Sequence, residues 1–153
     1  MKEMRRKDRA ITKEEALTVL QTGEYGVLSS VSDSGEPYGV PISYCFVDEA
    51  IYFHSAHDGR KLDNIDTNKK VSFCVVGKTE VLPNKFTTNF ESVIVEGKIE
   101  KVSGKDKQLG LVGLVKKYSN DFMNKGMKYI KNATDETTVL KLTINDLSGK
   151  ARK

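Results

Sequence analysis

Ala16, Leu17 and Leu20 form one apolar stripe in an otherwise polar stretch near the start of the chain, and Thr12 stands three residues ahead of Glu15, the spacing of a capping box. Together they predict a short helix over residues 12–22 that stops at Gly23. Beyond it the period becomes that of strands. The runs 26–31 and 38–47 flank the turn signal Asp33-Ser34-Gly35-Glu36-Pro37, and a tight turn at Asp48-Glu49 leads into a third run, 51–55. This succession predicts a three-stranded antiparallel meander. Pro41 falls within the second run, and proline donates no hydrogen bond to a ladder. That run therefore belongs at a bulge or an edge, either as a simple edge strand or with its backbone free to face a ligand.

From Arg60 to Asp66 the pattern is helical, with Leu62 and Ile65 turned inward and Asp58 available as N-cap. An apolar strand follows at 71–76. Residues 77–89 show no period and contain Pro83 and Asn84, which predicts a long loop and a candidate lid. The strand expected at 90–102 slips its alternation near Gly97, as at a bulge. A helical region opens at Ser103-Gly104. Its two stripes, Leu111, Val115, Tyr118 and Met123, Met127, Ile130, read as core packing and not as a cofactor box. The last strand, 138–145, turns Leu140, Leu142 and Ile144 inward. The sum is a mainly β, α+β fold: six mostly antiparallel strands in a small barrel with short flanking helices, whose closure would leave no exposed edge.

A chain of 153 residues with 38% hydrophobic composition fits a single domain, 1–153, with one substantial core. No stretch approaches the roughly 18 apolar residues of a membrane helix, and the opening MKEMRRKDR is not an apolar signal region, so a cytoplasmic protein without a membrane partner is expected. Cys45 and Cys74 lie inside apolar runs and share no metal-ligand spacing with each other or with the two histidines. They read as reduced core thiols, and no metal site is expected. The net charge of +4 is uneven, since residues 98–153 carry 13 Lys and Arg against 6 Asp and Glu. These lysines are scattered and no set of aromatic residues for base stacking accompanies them. They read as solvated helical faces, not as a nucleic-acid surface.

Residues 51–61, Ile-Tyr-Phe-His-Ser-Ala-His-Asp-Gly-Arg-Lys, are the most informative stretch. A strand that ends in small polar residues and passes into a helix with Arg60 and Lys61 in its first turn offers free backbone N–H groups, a positive helix end and two cations. That combination suits an oxyanion such as phosphate. Cations at a helix start oppose the dipole, which argues against two residues that merely face solvent. The glycine spacing matches neither a P-loop nor the dinucleotide fingerprint. His54 points to the face opposite Phe53 beside this anion site, where an imidazole would serve either as a structural group or in proton transfer.

Five segments in order resemble a known family: Met4–Ile11, Tyr38–Tyr44, Ile51–Ala56 with Gly59-Arg60-Lys61, Phe90–Gly97 and Ser148–Arg152. Nearly end to end, the chain is similar to the nitroimidazole-resistance branch of the pyridoxamine 5′-phosphate oxidase-like flavoproteins. The resemblance implies a split β-barrel that binds FMN at the interface of a homodimer. By the same resemblance Val40, Pro41, Ile42 and Ser43 would line the flavin, His54, Ser55 and Ala56 would lie beside its ribityl chain and phosphate, and Arg60 and Lys61 would hold the phosphate. Ser92 would reach over from the partner subunit, and His54 would lie near the reactive centre. The implied activity is an FMN-dependent reductase drawing on NADH or NADPH and acting on a small electrophilic, nitroaromatic-like substrate. The alternative is a non-catalytic flavin- or haem-binding protein. Residues 77–89 follow no pattern of this family.

Overall fold

The computed structural model describes all residues, 1–153. A capping box starts helix α1 (Lys13–Thr22): the Glu15 N–H donates to Thr12 Oγ1 over 3.2 Å, and the Thr12 N–H donates to the Glu15 carboxylate over 2.9 Å. Strands β1 (Gly26–Val31), β2 (Pro37–Ile42), β3 (Cys45–Val47) and β4 (Ala50–Ser55) follow, then helix α2 (Arg60–Thr67). Two long strands, β5 (Lys70–Leu82) and β6 (Thr87–Val102), precede helices α3 (Gly104–Tyr118) and α4 (Met123–Ala133), and β7 (Thr138–Arg152) ends the chain. No helix is long and apolar enough to cross a membrane.

The sheet is antiparallel with seven strands in the order β2-β1-β5-β6-β7-β4-β3. The expectations of six strands and of closure are both corrected. The run 38–47 is not one strand, because β2 pairs with β1 whereas β3 pairs with β4 at the opposite end of the order. There is accordingly no three-stranded meander. Asp48 and Glu49 do form the tight turn of the β3–β4 hairpin, both with positive φ.

Ser43 and Tyr44 alone separate the last residue of β2 from the first of β3. From Ile42 to Cys45 is three steps along the chain, which span no more than about 11 Å when extended. The two edges of the sheet are therefore held near each other, and the sheet must curl although no ladder closes it. Its concave side holds the main core of 17 buried residues, among them Leu28, Tyr44, Phe53, Phe73, Val95 and Leu142, against Leu20 of α1 and Leu62 and Ile65 of α2.

A second cluster lies on the outer side, where α3 and α4 cover Cys45, Ala50, Tyr52 and Val139. Strand β4 is buried on both faces along most of its length for this reason. Close approach depends on Gly110, where an added Cβ would meet Tyr52 Cδ1 at 2.8 Å. Gly110→Ala is expected to cost about 1–3 kcal/mol through overpacking, measurable as a lower urea midpoint.

Three further expectations need correction. Residues 77–89 are no loop or lid: β5 continues through Leu82, a 3-10 turn spans Pro83–Lys85, and β6 starts at Thr87, with Thr79 opposite Phe90 and Leu82 opposite Thr87. Strand β7 runs on to Arg152, its tail paired with Phe90–Glu96 of β6. Met127 is exposed, so the α4 stripe is only partly core. The slip at Gly97 is a register shift between Glu96 and Gly97, as the alternation predicted.

Candidate functional site

Gly59 has φ 134° and ψ 163°, a conformation that favours glycine, and it feeds the chain into α2 without a side-chain cap. Asp58 is not the N-cap that the sequence suggested. The N–H groups of Leu62 and Asp63 both donate to the Gly59 carbonyl, so those of Arg60 and Lys61 remain unpaired at the positive end of the helix. The Arg60 guanidinium lies 4.4 Å from the centre of the Tyr38 ring and 4.0 Å from the Glu36 carboxylate. Lys61 is half-buried and forms no ion pair. Uncapped N–H groups and an unpaired lysine together fit a phosphate.

Tyr38 brings β2 to this helix start. β2 is an edge strand, laddered to β1 on one side only, and Pro41 sits opposite Val27 in that ladder. The other side of its backbone is free, as the proline predicted. Val40 and Ile42 turn toward the main core, whereas Pro41 and Ser43 are exposed.

His54 and Ser55 end β4, and Ala56 follows it, three residues before Gly59. His54 is exposed on the face opposite the fully buried Phe53, and its imidazole has no hydrogen-bond partner within the chain. Ser55 is buried and donates its hydroxyl to the Ala56 carbonyl over 2.8 Å. His57 is exposed but engaged: Nδ1 lies 2.7 Å from Thr138 Oγ1 and Nε2 lies 3.0 Å from the Asp135 carbonyl. It ties the β4–α2 connection to the start of β7.

Ser92 is not brought to these residues within one chain. It lies opposite Val76 and Lys150 in mid-sheet, beside Met1–Met4, on the outer face that also carries the exposed Val76 and Ile94.

A groove of about 880 Å³ was not foreseen. It runs from the end of α1 (Gln21–Tyr25) past Pro41, Ile42 and Ser43 to Lys117 and Tyr118 on α3. Lys117 Nζ donates to the Tyr44 carbonyl over 2.9 Å and sits 3.5 Å from the centre of the Tyr44 ring. Half-burial away from any carboxylate pulls its pKa down to about 8. The Tyr118 hydroxyl donates to the Glu24 carbonyl and accepts from the Tyr44 N–H over 3.1 Å. Lys117 reads in sequence as one more lysine on a solvated helix face. Its only signal there was the place next to Tyr118 on an apolar stripe. Burial also pushes the nearby Cys45 thiol up to about 12, which makes it a poor nucleophile.

A sequence profile of the pyridoxamine 5′-phosphate oxidase family matches residues 12–151. The chain belongs to this family. The matched span contains every residue of the β2 edge, the β4 end and the α2 start. No functionally curated protein matches the chain in sequence. Among solved structures, the family fold is shared with a Bacteroides thetaiotaomicron protein named for 5-nitroimidazole antibiotic resistance (TM-score 0.79, 20% identity, covering 93% of this chain and 86% of that one). An FAD-binding protein from Mesorhizobium loti is similar over 95% of this chain and 98% of its own (TM-score 0.68, 22% identity). An FAD and haem binding protein from Mycobacterium smegmatis is similar over 93% of this chain and 72% of its own (TM-score 0.72, 17% identity). At these identities the likeness is one of fold.

Proposed function

We propose that this member of the pyridoxamine 5′-phosphate oxidase family binds FMN, with the phosphate at the start of α2 and the ring along the free edge of β2. In this reading it is a reductase of a small electrophilic, nitroaromatic-like substrate, with NADH or NADPH as donor. The observation that carries the proposal is the α2 start: two unpaired backbone N–H groups, a lysine without an acid and an arginine stacked on Tyr38. The family match, the flavin-binding neighbours and the neighbour named for nitroimidazole resistance support it. When bound, FMN supplies the two-electron chemistry between nicotinamide and substrate. Lys61 and Arg60 anchor the phosphate, the β2 backbone orients the ring and His54 delivers a proton to the substrate.

The proposal includes a homodimer. Val76 and Ile94 flank Ser92 on the outer face, and Val81 and Phe86 stand exposed further along the β5–β6 hairpin. This apolar surface suits a second copy, whose cover would bring Ser92 to the neighbour's flavin.

Lys61→Ala is expected to weaken FMN binding by about 1.5–3 kcal/mol, the worth of a charge-assisted contact, with the far-UV spectrum unchanged. Riboflavin, which lacks the phosphate, should lose much less in the same fluorescence titration. Equal losses for the two ligands would remove the phosphate from the α2 start. A second reading, a non-catalytic flavin or haem binder, is favoured by the neighbour that binds both groups and by the unpartnered imidazole of His54. It predicts bound cofactor with no turnover under either nicotinamide.

A further inference from the structure

The groove between α1, the β2–β3 link and α3 has a polarity that the phosphate site does not explain. Lys117 has three N–H donors. One is used by the Tyr44 carbonyl and one lies against the Tyr44 ring, which leaves one for the groove. Ser43 adds an exposed hydroxyl. The opposite wall carries free backbone acceptors at the end of α1, beside the Glu24 carboxylate and the N–H groups of Glu24 and Tyr25, which donate to nothing within the chain. At the end of α1 the Val19 carbonyl takes the Gly23 N–H and the Leu20 carbonyl takes the Tyr44 hydroxyl, but the carbonyls of Gln21 and Thr22 accept nothing within the chain. Tyr25, Pro41 and Tyr118 supply flat apolar surfaces beside these groups.

A simple anion would meet Lys117 but would also face the negative end of α1, which disfavours it. A simple cation would suit the carbonyls and be repelled by Lys117. A flat ring whose edge carries a carbonyl next to an N–H satisfies both walls without net charge.

We propose that this groove recognises the edge of a planar imide or lactam ring, with Lys117 donating to the ring carbonyl and the free carbonyls of α1 accepting from the ring N–H. Two sources of that chemistry exist: the flavin ring itself, in which case the inference rests on the proposed FMN site, or a separate heterocyclic substrate. Half-burial of an amine with no acid beside it agrees with a group kept for a ligand.

Lumichrome, a flat tricyclic imide without ribityl chain or phosphate, is the probe, with its N3-methyl derivative as the control that blocks the N–H. Lumichrome should quench on titration into the protein and shift the backbone amide signals of residues 21–25 and Ser43. N3-methylation should weaken binding roughly three- to tenfold, the worth of one lost hydrogen bond to a neutral carbonyl. Lys117→Met should weaken lumichrome by about tenfold or more, the worth of a hydrogen bond to a charged group, and Lys117→Arg should stay within about threefold of the parent. Equal affinity for the two probes overturns the proposal with no variant involved, even if Lys117→Met fails to fold. A folded Lys117→Met with parental affinity overturns it as well. Competition by FMN would identify the cofactor's ring as the occupant, whereas undiminished lumichrome binding to FMN-loaded protein would identify a substrate ring, and either result supports the groove. Absence of FMN binding alongside the expected lumichrome results would reject the FMN site alone.

Discussion

Phe73→Ala is expected to destabilise the protein by about 3–5 kcal/mol, the range for removing a large aromatic side chain from a close-packed core. Phe73 has no solvent exposure and packs edge-on against two rings, Tyr44 with centroids 4.9 Å apart and Phe53 at 5.0 Å. These three side chains come from separated places: Phe73 from the middle of the sheet, Phe53 from β4 and Tyr44 from the link between the two edges. Alanine would leave a cavity where the curl of the sheet is held together. Collapse is resisted because the Tyr44 hydroxyl is bound to the Leu20 carbonyl of α1. For a domain of this size the thermal midpoint should fall by roughly 6–20 °C. Urea unfolding with an unchanged slope is the check, and a loss below about 1 kcal/mol would show that Phe73 does not hold the sheet edges together.

His54→Ala is expected to leave the fold and the flavin in place and to slow substrate reduction by roughly 100-fold, the size of effect usual for a lost general acid. The geometry separates these outcomes. The His54 side chain is exposed and bonds to nothing in the chain, so its removal should cost little stability. In the proposed site the phosphate is held by α2 and not by His54, so occupancy should survive. His57 provides a contrast. Its ring joins Asp135 and Thr138 to the β4–α2 connection, and His57→Ala should lower stability by up to about 1 kcal/mol. Turnover in His57→Ala should fall only as far as flavin occupancy falls. If His54→Ala strips the flavin while the fraction still bound turns over normally, His54 is a cofactor contact and proton transfer lies elsewhere.

Local signals in the sequence determined a good deal. Thr12 and Glu15 start α1 because a capping box needs only residues three apart. Asp48-Glu49 turns the chain, and Gly97 marks the bulge because alternation of period two shows a one-residue slip directly. The basic start of α2 was also legible, since the helical pattern opens at Arg60-Lys61 and the helix begins there.

The tertiary structure decided what depends on partners distant in the chain. The alternation in 38–47 reads the same whether the residues form one strand or two, and only the pairing of β2 with β1 and of β3 with β4 breaks it at Ser43-Tyr44. Residues 77–89 look like a loop because the hairpin they build is largely exposed. Without burial no hydrophobic pattern is imposed, and the strands are held by backbone hydrogen bonds that any side chain permits. Lys117 is the sharpest case. Lys116, its neighbour in sequence, is exposed to solvent, and only the place of Lys117 next to Tyr118 distinguishes the two locally. Lys117 acquires its half-buried, acid-free position only because α3 packs where the β2–β3 link crosses between the edges of the sheet, which sets its amine against Tyr44 from 73 residues away.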